Sequence, residues 1–310
     1  MNPTEFWQNF KMGEEQEIAC NFIYDGLRNL HEMETLNLET EIFPVLYNLS
    51  IGLERLFKVA IVLVEVNDNT NIDEFEETLK IHDHIALFNR LKKSVDLNFT
   101  SAQTGLLNLL SVFYEDHRYG RFNIPQRDNL SKDKKLFLTF LNKHLGIDIR
   151  EDIIGNENSF QIKKFIGKTV KKMTKDLYAI IDKASTAKNL YTYEISGSSS
   201  KAAKILWGDD SILFDNEEVA MMEVLIFLLK TTESDRVNML KEIEPLPLDP
   251  ALDAEYLQFL LKKRTDYGSS IVDEVESGHA EIKDLKERIE FIKAIKDPSI
   301  GFDYAPEENE

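Results

Sequence analysis

Apolar residues recur at helical spacing through most of the chain. The densest stretch is Asn48 to Val66, NLSIGLERLFKVAIVLVEV. Leu49, Leu53, Leu56, Phe57, Ala60 and Val64 fall on one helical face. Ile51, Val59, Ile61, Val62 and Leu63 spread apolar surface well beyond that face, which predicts a central helix packed on several sides. Only Glu54, Arg55 and Lys58 interrupt it. Glu54 stands four residues before Lys58, the favourable order for an ion pair, either on a solvated edge or inside a bundle close to a site.

The same spacing predicts further helices. Glu14 to Met33 carries Ile18, Phe22, Ile23, Leu27 and Leu30, and Glu39 to Val66 reads as one helix with Pro44 tolerated near its start. Asn67 to Asn71 reads as a loop. A third helix, capped by Asp73, is expected to run to about Val95 with Phe75, Leu79, His82, Ile85, Phe88 and Leu91 inward. Thr100 or Ser101 caps a fourth, which Gly120 and Pro125 bring to an end. Beyond it, helices are expected over Lys132–Leu145, Ser159–Lys188, Glu217–Thr231, Ala254–Lys263 and Ile271–Lys296. A short strand is expected at Tyr191–Ile195, a loop at Gly197–Ser200, and a frayed acidic tail after Gly301. Pro245, Pro247 and Pro250 mark a turn. The fold class is all-α: a four-helix bundle followed by a helical C-terminal region, with a boundary near residue 150.

Composition narrows the functional classes. A formal net charge of −18 over 310 residues argues against general coating of nucleic acid, and leaves room for one concentrated basic site. The single cysteine, Cys20, excludes an internal disulfide and suits a reducing compartment. No secretory signal is read at the start, and the longest apolar run, Val59 to Val64, is far too short for a bilayer. These features point to a soluble, cytoplasmic protein without membrane association.

SIGLERLFKV in the second helix, HDHIALFNRL in the third and FYEDHRYGRF at the end of the fourth, in that order, resemble the HEPN superfamily of prokaryotic helical-bundle proteins. The resemblance covers about Glu14 to Pro125. It implies a dimer, and for active members a metal-independent ribonuclease site. There an arginine is followed by a histidine after four to six intervening residues, and two protomers share one cleft. This chain departs from the pattern. Asn123, Ile124 and Pro125 follow Arg118 at those positions, and Gln126, Arg127 and Asp128 follow Arg121. His117 precedes Arg118 instead, and adjacent helical residues point about 100° apart.

His117, Arg118 and Arg121 are the candidate catalytic residues, with Asn123 as a hydrogen-bonding neighbour. They are equally a cationic helix end satisfying the dipole. Tyr114, Tyr119 and Phe122 beside them could stack bases or serve as core and dimer contacts. His84 is a candidate to face Glu54 or Arg118 inside the bundle. His82 and His84 diverge by about 200° on a helix and cannot chelate one ion together, so no metal or cofactor is expected. Gly167-Lys168-Thr169 lacks the first glycine of a phosphate loop, Ile162 standing in its place. On the same helix Lys164, Lys168, Lys171, Lys172 and Lys175 form a basic stripe. It reads as a solvated face, a face for another subunit's acidic surface, or an RNA groove. Cys20 reads as a small core residue.

The sequence reading is therefore a HEPN-like dimeric binding module of a prokaryotic defence or toxin–antitoxin type system, with RNA or a protein as candidate partner. The alternatives are an active endoribonuclease with a rearranged Arg/His site, and a helical scaffold with no nucleic-acid role. The homodimer is expected from the surplus apolar surface of the second and fourth helices and from the family's pairing habit.

Overall fold

A computed structural model describes residues 2–117, 132–150, 156–190, 200–208, 210–261 and 268–297. It is all-α, and among the described residues there is no strand, only an isolated antiparallel bridge between Thr35 and Glu157. The expected strand at Tyr191–Ile195, most of the Gly197–Ser200 loop and the acidic tail lie outside the described residues. The chain divides into two compact units, Met1–Leu213 and Phe214–Glu310, so the first runs well past the expected boundary at 150.

The first unit begins with α1 (Pro3–Phe6), a π-helical turn (Trp7–Lys11) and α2 (Met12–Glu32). Then comes α3 (Glu39–Glu65), the central helix, with Pro44 inside it. Most of its apolar residues are buried, from Ile42 and Leu46 through Leu53 and Phe57 to Leu63, with Phe43, Ile51 and Val64 half-buried. Helix α2 packs along it closely, because Gly52 leaves room: a Cβ there would stand 2.5 Å from Ile23 Cγ1 and 2.8 Å from the Ala19 carbonyl. Cys20 sits in the same seam, fully buried. Burial raises its thiol pKa to about 12, so it is inert core, as its apolar setting in the sequence suggests.

The expected third helix is two helices. Asn71, not Asp73, caps α4 (Ile72–Thr78), and the chain restarts as α5 (His84–Ser94). Asp83 forces the restart: its Oδ1 accepts from the Ile85 amide at 2.8 Å, the geometry of an N-cap. Helix α6 (Ser101–Val112) opens with a capping box, the Thr100 and Gln103 side chains each accepting the other's amide, and runs into a π-helical turn, Phe113–His117. Helices α7 (Lys132–Leu145), α8 (Phe160–Ala187) and α9 (Ser200–Leu206) complete the unit. Helices α2, α5, α6, α7 and α8 all pack on α3. Much of the apolar surplus of the second and fourth expected helices is therefore covered within the chain: Leu49, Leu56, Leu106, Leu107 and Leu110 are buried, while Ile51 is half-buried and Val112 exposed.

The second unit holds α10 (Asp215–Lys230), α11 (Asp235–Glu242), a 3₁₀ turn (Pro250–Leu252), α12 (Asp253–Leu261), α13 (Gly268–His279) and α14 (Leu285–Lys296). The expected single helix over Ile271–Lys296 is broken. Ala280, Glu281 and Ile282 make i→i−3 bonds to Ser277, Gly278 and His279, which tighten the last turn of α13 until it cannot continue. No described helix is long and apolar enough to cross a membrane.

Candidate functional site

One face of α3 is left open to solvent. Tyr47, Ile51, Glu54, Arg55, Lys58, Val59 and Val62 line it, a run of about 22 Å at 1.5 Å per residue. Trp7, Lys11, Met12, Glu14, Glu15 and Phe22 form one wall, and Leu79, His82 and Tyr114 the other; the groove encloses about 730 Å³. The first wall is fixed where Gln8 Nε2 donates to the Val62 and Val66 carbonyls, each at 3.3 Å, capping the C-terminal end of α3. Lys188 Nζ donates to the same Val66 carbonyl, and burial lowers its pKa.

Glu54 and Lys58 pair as their spacing predicts, Nζ to Oε1 at 2.6 Å, and the Glu54 side chain is only 9% exposed. A third group joins them. His82 Nδ1 lies 3.2 Å and 3.3 Å from the two Glu54 oxygens, while its side chain stays 57% exposed. A ring nitrogen turned to a carboxylate fixes the tautomer with Nδ1–H inward and leaves Nε2 outward, the arrangement of a general base or a ligand-contacting imidazole. Tyr114 holds the ring from the other side at 5.5 Å between centroids. Arg55 pairs with Glu15, and Lys11 with Glu14 at 2.7 Å.

It is His82, not His84, that faces Glu54. His84 is fully buried and donates from Nε2 to the Ser50 carbonyl at 2.9 Å; burial holds its pKa below the ordinary imidazole value. Its backbone amide donates to Ser111 Oγ at 3.0 Å, and that hydroxyl donates to Asp83 Oδ1 at 3.0 Å. This junction locks the start of α5 to α6 and so aims the linker that carries His82. The sequence reading passed over His82 because it placed the residue mid-helix. Asp83, read as an N-cap, was the signal that would have put it in a linker.

Of the expected catalytic cluster, Arg118, Arg121 and the neighbouring Asn123 lie outside the described residues, as does the side chain of His117. The backbone of His117 closes the π-helical turn that carries Tyr114. Of the basic stripe on α8, Lys164, Lys168 and Lys172 are exposed, as a solvated face would have them, while Lys171 and Lys175 are held within the chain. Lys171 is 1% exposed and donates to the Lys204 and Ile205 carbonyls at 2.8 Å and 3.0 Å, capping the end of α9. Lys175 pairs with Asp210 at 3.0 Å, and this neighbour lowers the Asp210 carboxyl pKa. Lys164 lies 5.7 Å over the Phe160 ring, and Lys168 is exposed. Gly167 serves packing, since a Cβ there would collide with the Ile212 carbonyl. Among the described residues no three His, Cys, Asp or Glu side chains are grouped to hold a metal ion. No family model, curated protein or solved structure matches the chain.

Proposed function

We propose that the first unit is a binding module whose α3 groove receives an amphipathic helix of a partner protein. The observation that carries this reading is the make-up of the groove. Half-buried apolar and aromatic side chains, Trp7, Phe22, Tyr47, Ile51, Leu79 and Tyr114, line it beside charges that are matched: Lys11 with Glu14, Arg55 with Glu15, Lys58 with Glu54. Helix-in-groove recognition uses such a lining for its apolar anchors and such charges for register. A phosphate backbone needs uncompensated positive charge. The cations of the groove are already neutralised by Glu14, Glu15 and Glu54. That balance favours a protein segment over RNA. A setting in a prokaryotic defence or toxin–antitoxin system rests on the HEPN-like sequence resemblance.

Trp7 lies in the groove wall and supplies the readout. In a Trp207→Phe background, a synthetic amphipathic Leu/Lys helix is expected to change Trp7 fluorescence, and Ile51→Lys to abolish the change. Saturable binding of mixed-sequence RNA with no response to the peptide would sink the proposal.

The Glu54–His82 pair favours a second reading, the rearranged endoribonuclease. The pair would supply the histidine that the sequence lacks downstream of Arg118: the His82 ring lies against Tyr114 with Nδ1 on Glu54. A general base contributes about 10²–10⁴-fold. Cleavage of RNA in the presence of chelator, reduced by that order in His82→Gln and Glu54→Gln, would promote this reading over the first. Absence of cleavage removes it.

A further inference from the structure

The groove wall that carries Leu79 and His82 is anchored by one buried imidazole. His84 stands where the linker before α5 meets α3 and α6. Its Nε2 donates to the Ser50 carbonyl of α3, and its amide donates to Ser111 Oγ of α6. The Ser111 hydroxyl also holds Asp83 Oδ1, so the residue between the two histidines is tied to the same point. The Tyr114 ring meets both imidazoles, His82 at 5.5 Å and His84 edge-on at 6.3 Å between centroids. The exposed ring in the groove therefore takes its place from the buried ring two residues on.

The other nitrogen of the buried ring, Nδ1, has no hydrogen-bond partner. In the neutral ring it carries only a lone pair. A proton there would make a buried cation with an unpaired N–H, which costs far more than one hydrogen bond contributes. The surrounding charges do not relieve that cost. Glu54 and Lys58 act on the ring from α3 with opposite signs and are paired with each other. Asp83 acts from the linker and is engaged by Ser111 and the Ile85 amide. Helix α6 brings the Ser111 hydroxyl, and the π-helical turn the Tyr114 ring. Burial outweighs them all and holds the imidazole pKa below its ordinary value.

We propose that protonation of His84 opens the groove: on acidification the ring leaves its seat, its ties to Ser50 and Ser111 part, and the wall bearing Leu79 and His82 comes away from α3. Release of a bound segment by this movement rests on the helix-in-groove reading; the movement itself does not.

Hydrogen exchange of the full chain tests the movement without a ligand. The amides of His84 and Ile85, held by Ser111 Oγ and Asp83 Oδ1, report the junction. An imidazole that titrates at 6.5 once released favours the open form about tenfold more at pH 5.5 than at pH 7.5. Their protection factors should fall by about that factor, and at both pH values stay below those of α2, the mark of a local opening. His84→Gln keeps a donor for the Ser50 carbonyl without a titrating ring and should remove the fall. Should glutamine not seat, Ser111→Ala cuts the second tie and should leave both amides weakly protected at either pH. In the Trp207→Phe background the Leu/Lys peptide, whose own charge is constant over this range, should bind about two- to tenfold more weakly at pH 5.5, and equally at both pH values with His84→Gln added. Protection factors at 84 and 85 that ignore pH, or that equal those of α2, overturn the proposal. So does a pH-dependent peptide affinity that survives His84→Gln, which places the titrating group in the groove itself. A peptide that binds at neither pH counts against the groove reading alone, and the exchange result still decides whether His84 moves the wall.

Discussion

Four buried residues on or against α3 carry measurable consequences. Leu53 and Phe57 are fully buried, so Leu53→Ala or Phe57→Ala should cost about 2–5 kcal/mol in chemical denaturation. Gly52→Ala should be destabilising by about 1–3 kcal/mol, because the added methyl meets Ile23 and backbone of α2 rather than a yielding side-chain end. His84 makes stability depend on pH. Its folded pKa lies below the ordinary 6.5. Above that value both states are neutral and stability is complete. As pH falls below it, the unfolded chain takes up a proton that the buried ring refuses, and stability declines until the folded pKa is reached. Urea midpoints at pH 7.5 and 5.5 should therefore diverge, and His84→Gln should reduce the divergence. The apolar face holding Leu53 and Phe57 was legible in the sequence because burial follows helical period. The burial of His84 and Lys171 was not, because it depends on the carbonyls of Ser50, Lys204 and Ile205, which other parts of the chain bring near.

Helix caps explain where the elements agree with the sequence and where they part from it. Thr100, one of the two expected caps, starts α6 at Ser101, and the structure adds a capping box with Gln103. A continuous apolar period from Phe75 to Leu91 hid the break before α5, since period persists across a short linker while the N-cap resets the backbone. For Lys171 the lysine stripe misled for a related reason: spacing along α8 says which residues share a side, not that α9 ends against one of them. Lys171→Met tests that contact. It leaves the Lys204 carbonyl without its buried donor, Thr174 Oγ1 still donating to the Ile205 carbonyl, and should cost about 1–3 kcal/mol, seen as a lowered melting temperature, while Lys168→Met should cost next to nothing.

The two units differ in how much core they own. The first buries a continuous apolar set along α3, whereas in the second only Phe214, Val237, Ile271 and Ile295 are buried hydrophobic residues among those described. Local stability follows buried apolar contact. Hydrogen exchange should accordingly be slowest in α2, α3 and α8 and much faster in α11 to α14. Slow exchange throughout α11 to α14 would contradict this account. At this scale the sequence foretold an all-helical chain with a central second helix. It did not foretell that α7 and α8 belong with α3, because amphipathic faces on separate helices carry no label for the partner they will meet.

The seam between α2 and α3 also has a practical meaning. Its one thiol, Cys20, is fully buried and holds its proton up to a pKa of about 12, so maleimides and disulfide reagents find no thiolate in the folded chain. The wild-type protein is thus a ready-made blank for site-directed labelling. A cysteine placed at the rim of the groove or on α10 becomes the sole address for a dye or spin probe, and Cys20 itself reports, by the rate at which it becomes reactive, how often the α2–α3 seam opens.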